Sequence, residues 1–200
     1  MYSKKQFAHR LPFYLFAVIF LVSSFSAAQT RTSLDIFYAL ADSSAKKAAS
    51  ELPASVKEIG LELNSGTIYS VFNTKIISAF NESGIKTNGS NDYKVLYVID
   101  DASVSYGKMF RDGFLGDYLL ERKVNLKGNY FIAGYDVKDF SISFEDTISV
   151  EEVKELESYS FPFTQGKVPA EPFFSGLFEP VVAIGTAALA VILFFTIRSK

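Results

Sequence analysis

The 200-residue chain has no cysteine and no tryptophan, and its single histidine, His9, lies close to the start. Without cysteine there is no disulfide framework, no thiolate nucleophile and no lipobox-type lipid attachment. Without a histidine after His9, the Ser-His and Cys-His nucleophile pairs and the usual zinc ligand sets are excluded from the rest of the chain. Carboxylate, lysine, tyrosine or Ser-Lys chemistry is all that remains. No phosphate-loop motif, internal repeat or low-complexity tract is present. A cysteine-free exported domain of this size suits a bacterial envelope better than animal secretions, which lean on disulfides.

What the chain does have is two apolar runs, Phe13 to Val22 and Val181 to Ile197, each with basic residues on one side only. Lys4, Lys5 and Arg10 precede the first run and Arg198 and Lys200 follow the second, so the positive-inside rule puts both ends in the cytoplasm and the middle outside it. The first run, followed by Ser26-Ala27-Ala28, reads as a signal peptide over 1–28, cut before Gln29; an uncleaved signal anchor is the alternative. In the second, Pro180 stands where a helix starts, and a span over 180–197 followed by a basic tail, 198–200, is expected. Phe178-Glu179-Pro180 resembles the short motif of exosortase-type sorting signals, with Phe178 in place of the expected proline. Within the span, Ala183, Thr186, Ala187 and Ala190 form a stripe of small residues of the kind that lets another helix approach. Single spans without a partner carry such residues too.

The 20 basic residues, less the five at the ends, leave 15 against all 22 acids, a net charge of −7 for the middle of the chain. An acidic domain lacks the basic stripe that phosphate backbones require, so no nucleic acid is expected as a partner.

Residues 29–160 are expected to form one exported α+β domain, with two helices packed on a mostly antiparallel sheet. Ser33 is the expected N-cap of a helix with Leu34, Phe37, Tyr38, Ala41, Ala45, Ala48 and Leu52 on one face, ending at Pro53. Ile59, Leu61 and Leu63 alternate as a strand, and Asn64-Ser65-Gly66 turns the chain into a second helix from about Thr67. Ile68, Val71, Phe72, Ile76, Ala79 and Phe80 make its apolar face and Gly84 its C-cap. Tyr93 to Ile99 suits a central strand closed by Asp100-Asp101, and Val104 to Phe110 a further strand. Tyr118 to Leu126 and Asn129 to Val137 pattern as a hairpin across Lys127-Gly128, and Phe140, Ile142 and Phe144 as one more strand. Ser149 and Glu152 mark a capping box for an acidic helix through about Tyr159. Residues 161–179, rich in proline and phenylalanine, read as a tether that packs on the domain or lies at the membrane interface.

From Leu34 to Phe144, with Ala48 to Leu52 leading into the first strand and Ile76 to Gly84 closing the second helix, the order resembles the small α+β domains of bacterial envelope-assembly proteins. Curli-secretion and lipopolysaccharide-transport lipoproteins are examples. The resemblance is architectural, includes no diagnostic motif, and departs from the family at the absent lipobox cysteine, so it carries over no functional residue.

Asp100 and Asp101 are candidate carboxylates, although strand alternation would send them to opposite faces. Glu151, Glu152 and Glu155 suit a solvated helix start. Arg111, Arg122 and Lys123 read as surface cations able to meet a headgroup or a partner's acids. With 20 Phe and 11 Tyr the chain is 16% aromatic, and an outward tyrosine row on the sheet is the candidate interaction surface: Tyr93, Tyr97, Tyr106, Tyr118, Tyr130 and Tyr135. The chain thus reads as a non-enzymatic binding or scaffolding module, single-pass in a cell membrane, without a cofactor, whose partners are the membrane and another envelope protein. A glycan-directed hydrolase using Asp100 or Asp101 is the alternative.

Overall fold

Thr32, not Ser33, caps the first helix, because its hydroxyl both accepts from the backbone N–H of Asp35 and donates to the Asp35 carboxylate. The computed structural model describes residues 30–87, 89, 93–113, 116–134, 136–170 and 175–198. The expected leader over 1–28, Tyr135 and the last two residues of the basic tail lie outside these. Helix α1 is Ser33–Ser50, and its inner face alternates large with small residues: Ile36, Phe37, Leu40, Ala41, Ala45, Ala48 and Ala49 are all buried. The alanines allow close approach to what packs against them.

Strand β1, Gly60–Asn64, leads into a broken second helix: a turn of α2 at Gly66–Tyr69, a 3₁₀ turn at Ser70–Phe72, and α3 at Asn73–Glu82. The break corrects one expectation. Ile68, expected on the buried face, is 64% exposed, because the tighter 3₁₀ turn rotates α2 out of phase with α3. Phe72, Ile76, Ala79 and Phe80 keep the inner face, and Gly84 follows α3 with φ of 80°, a conformation open to glycine.

The sheet has the order β1-β2-β3-β4, with β1 parallel to β2 and the other pairs antiparallel. Strand β2, Lys94–Arg111, joins what the sequence pattern splits into two strands, and β3, Tyr118–Ile132, replaces the expected hairpin across Lys127-Gly128. The chain turns instead between Arg111 and Tyr118 and again between Ile132 and Lys138, where β4, Lys138–Ser149, begins. Gly128 is no turn residue: it pairs with Ile99 on one side and Phe140 on the other. A Cβ there would lie 2.2 Å from the Val98 carbonyl oxygen and 2.6 Å from the Phe140 ring. The close approach of the ring, rather than backbone freedom, calls for glycine.

One face of the sheet carries the core. Val95, Tyr97, Ile99, Ala102 and Val104 of β2, Val124, Leu126, Tyr130 and Ile132 of β3, and Phe140 of β4 pack under α1 and α3. A second, smaller cluster holds Met109, Leu120 and Ile148 with Val153 and Leu156 of the four-residue helix α4, Val153–Leu156. This helix is shorter than expected, and Ser149 does not cap it: Glu152 holds the N-cap position without a side-chain cap, and the Ser149 hydroxyl accepts from the Glu151 N–H ahead of it. Beyond α4, a strap over 157–166 returns along β2. Phe163 is buried, 5.3 Å from the Phe37 ring and 5.5 Å from the Tyr69 ring, so the front of the Pro/Phe-rich segment belongs to the domain's packing.

Helix α5, Ser175–Arg198, begins before Pro180, which therefore lies inside it rather than at its start. Its stretch Pro180–Ile197 has mean hydropathy 2.4 over 18 residues and buries none of it against the other described residues. At 1.5 Å per residue that is about 27 Å, long and apolar enough to cross a membrane.

Substituting Gly128→Ala should destabilise the domain by about 1–3 kcal/mol, since neither the Val98 carbonyl nor the Phe140 ring can yield freely. Urea unfolding of the purified chain checks it; an unchanged midpoint would mean that β3 turns here after all.

Candidate functional site

The tyrosines expected to form an outward row divide between core and surface. Tyr97 and Tyr130 are 1% and 2% exposed, their rings stacked at 6.4 Å, with Phe140 5.4 Å from Tyr97. They are core residues, which corrects their place in the row. They are register partners on β2 and β3, and the face they share is the one under the helices. Tyr106 is half-buried, and its hydroxyl donates to the Glu157 carboxylate at 2.8 Å, an oxygen that also accepts from the Gly166 N–H. Tyr118 is half-buried near the β2–β3 turn, its ring 5.2 Å under the Arg111 guanidinium. Tyr93 is 37% exposed just ahead of β2. The structure does not bring these side chains into one surface.

What it leaves open, among the described residues, is the outer face of the sheet. Leu96 lies opposite Phe131 at one end and Phe110 opposite Leu119 at the other. Phe131 and Phe110 are 38% and 36% exposed. Between them run polar rows in register across three strands: Asp101, Lys127 and Ser141; Ser103, Asn125 and Ser143; Ser105, Lys123 and Glu145. A concavity of about 420 Å³ takes in Ser105, Gly107, Glu121, Lys123, Glu145 and Thr147.

Asp100 and Asp101 do not close a strand; they sit inside β2 at an irregularity where Ile99 pairs with Gly128 and Asp101 with Lys127. The extra residue of this bulge interrupts alternation, so both carboxylates reach the outer face. Asp100 accepts from the Asn129 side-chain amide at 3.0 Å and Asp101 from the Ser103 hydroxyl at 3.1 Å. They stand beside each other on an open surface rather than across a cleft. Among the described residues no group of three acids is placed to hold a metal ion. Glu151 and Glu155 are exposed at the start of α4.

Arg122 is not a surface cation. It is 1% exposed on the inner face of β3, where Nε and Nη2 donate to the two Asp146 carboxylate oxygens at 2.9 and 2.6 Å. Nη2 also donates to the Arg31 carbonyl at 3.0 Å, and Nη1 to the Ser33 hydroxyl at 3.4 Å. No periodicity announces such a residue; a lone basic position in phase with Val124 and Leu126 is the one available signal. A second groove, about 670 Å³, runs between α1 and α3, lined by Asp35, Tyr38, Asp42, Val71, Thr74 and Lys75 among others.

On α5, Ala183, Thr186, Ala187 and Ala190 are exposed on one stripe. The Thr186 hydroxyl donates to the carbonyls of Val182 and Ala183, so its hydrogen bond is satisfied within its own helix.

No protein-family model and no curated protein matches the chain. Among solved structures, the chain is similar to rare lipoprotein B from Shewanella oneidensis, at 18% identity and a TM-score of 0.30, over 44% of this chain and 67% of that one. The chain's own elements define the class as α+β, a four-stranded mixed sheet with helices on one face, followed by an apolar helix of membrane-crossing length.

Two measurements test this anatomy. Arg122→Met should cost about 3 kcal/mol by stranding Asp146, while adding Asp146→Leu should recover most of the loss; equal losses in both variants in urea melts would mean the pair is not coupled. Burial is the first cause that pushes the phenols of Tyr97, Tyr106 and Tyr130 above their ordinary 10.0, with Glu157 adding for Tyr106 and Glu51 for Tyr130. Their contribution to stability is therefore full below pH 10, where the unfolded phenols are still protonated. It is lost as the pH rises through the folded values. The unfolding midpoint should fall steadily above pH 10, and less steeply in Tyr97→Phe; a flat profile in the parent chain would contradict the burial.

Proposed function

We propose that this chain is a non-enzymatic binding or scaffolding module of the bacterial envelope, held in a membrane by α5 with its domain on the extracytoplasmic side, and serving envelope assembly or transport. The observation that carries the proposal is α5 itself: an 18-residue apolar stretch that, among the described residues, is buried against nothing, and that follows a folded domain after a short segment. A soluble protein would have to cover such a helix. Basic Arg198 and Lys200 follow the stretch, which supports an outward-facing domain by the positive-inside rule.

The binding surface best suited to a protein partner is the outer face of the sheet, with exposed Phe131 and Phe110 as apolar contacts among hydroxyl, amide and charged rows. The side-by-side arrangement of Asp100 and Asp101, each already accepting a hydrogen bond, favours binding over a glycosidase, which needs carboxyls about 5–9 Å apart across a cleft.

Because the chain has no cysteine, single substitutions report sidedness directly. In intact spheroplasts, a membrane-impermeant maleimide should label Ser141→Cys on the outer sheet face and spare Ser199→Cys in the tail. The reverse pattern, or labelling of both, overturns the topology. Phe131→Asp should then reduce recovery of a stoichiometric envelope partner with the detergent-solubilised chain while leaving its unfolding midpoint in place.

A further inference from the structure

Among the exposed apolar side chains outside α5, three lie next in sequence to the residues that seat the strap on the domain. Ile68 is 64% exposed, Tyr159 83% and Val168 37%. Each is tied closely in sequence to a fixed point. Ile68 precedes Tyr69, whose ring meets Phe163 and whose hydroxyl accepts from the Ala102 N–H at 3.4 Å. Tyr159 is two residues from Phe161, which packs 5.7 Å from the same Phe163. Val168 is two residues past Gly166, which lies flat on the Tyr106 ring and the Val104 carbonyl, where a Cβ would come within 2.9 Å of the ring. Ala102, Val104 and Tyr106 are successive inner-face positions of β2, so these fixed points line one short track.

The chain beyond that track is brief. From Gly166 to Ser175, the first residue of α5, there are nine peptide steps, which reach about 30 Å at full extension. The end of the domain where the strap departs is therefore held near whatever surface α5 enters. Lys154 and Lys167 are exposed on this part of the chain beside the exposed acids Glu151 and Glu155, so apolar contact rather than net charge has to carry a seat there. A tyrosine with an apolar body and a polar tip is the residue type that settles at the boundary between headgroups and acyl chains.

We infer that Ile68, Tyr159 and Val168 form a rim that seats the domain on the bilayer, with the lipid surface as its partner. This rests on the anchored reading of α5 above. The rim gives the α2 turn a role that its packing does not: it presents Ile68 to the membrane instead of the core. Seated this way, the domain cannot swing freely on its tether.

The test uses the full chain in liposomes of phosphatidylethanolamine and phosphatidylglycerol, with a polarity-sensitive bimane on one introduced cysteine at a time. Ile68→Cys, Tyr159→Cys and Val168→Cys probe the rim, Ile192→Cys the membrane helix and Ser141→Cys the outer sheet face. All three rim positions are exposed, so substitution removes no core contact. With a nitroxide near the headgroup end of the acyl chains, the rim labels should shift to the blue and lose roughly half their emission, as at an interface. The Ser141→Cys label should not change, and the Ile192→Cys label should respond most to a nitroxide deep in the bilayer. If the Ile192→Cys label is quenched and the rim labels behave like that of Ser141→Cys, the rim is wrong and the anchor stands. If the Ile192→Cys label is itself unquenched, the anchored reading fails and the rim with it.

Discussion

The buried guanidinium of Arg122 is the constraint around which the domain is arranged. A charge taken out of water is tolerated only when its donors are met, and here four hydrogen bonds reach three groups in two parts of the chain: the Asp146 carboxylate on β4, and the Arg31 carbonyl and Ser33 hydroxyl at the start of α1. The pair also sits between the two apolar clusters, with Val124 and Phe144 on one side and Leu120 and Ile148 on the other. A slip of β3 against β4 by one residue would turn Arg122 to the outer face and Val124 with it. Apolar burial supplies most of the stability, and the Arg122 knot selects the register in which that burial occurs. It also explains why Ser33 is the first residue of α1 rather than its cap: its hydroxyl serves Arg122, and the neighbouring Thr32 takes over the capping.

Helical periodicity was enough to recognise α1 and α3, and β-period alternation enough for β1 and β4, because in these segments one face is buried and the other wet. The readings that failed share a physical cause, which is that two different structures use the same residue type. Gly128 beside Lys127 looks like a turn, yet glycine is also what a strand needs where a Phe140 ring crosses it. Asp100-Asp101 looks like the end of a strand, yet a bulge accommodates both acids without ending it. Tyr97 and Tyr130 carry polar tips that suggest a surface, but the Tyr97 hydroxyl shares a hydrogen bond with buried Ser44, which lets the ring stack in the core. Such cases depend on partners far away in sequence, and alternation along a single strand cannot reveal them. The outer face was legible only as a face: its polar rows follow from alternation, while which aromatics lie on it does not.

The strap extends the domain beyond the point where composition changes. Proline and glycine in 161–176 suggest a linker, and the phenylalanines oppose that reading. The conflict resolves because Pro162–Thr164 forms a single 3₁₀ turn whose Phe163 fills a ring of Phe37, Tyr69, Phe72 and Phe161. Thr164 closes the turn with hydrogen bonds to the backbone of Ser158 and Phe161. An aromatic side chain in such a site contributes area and specific edge contacts together. A pull exerted through α5 would reach the contact of Gly166 with Val104 and Tyr106 of β2 first and the aromatic cluster around Phe163 next.

The course of the strap decides which face of the sheet stays uncovered. The strap lies on the inner face of β2, against Val104 and Tyr106, on the same side as the helices. The outer face of β2, β3 and β4 is consequently free of the strap as well as of the helices. A domain tied down through its edge or its outer face would have lost its largest flat surface to its own anchor. Here the three long strands, with two irregularities in β2 that add twist, keep that surface clear, and the acids gathered by the first bulge lie in its middle. The packing of Phe163 and Gly166 along the inner face of β2 thus puts the strap on the side of the helices and leaves the polar rows of the outer face on the other.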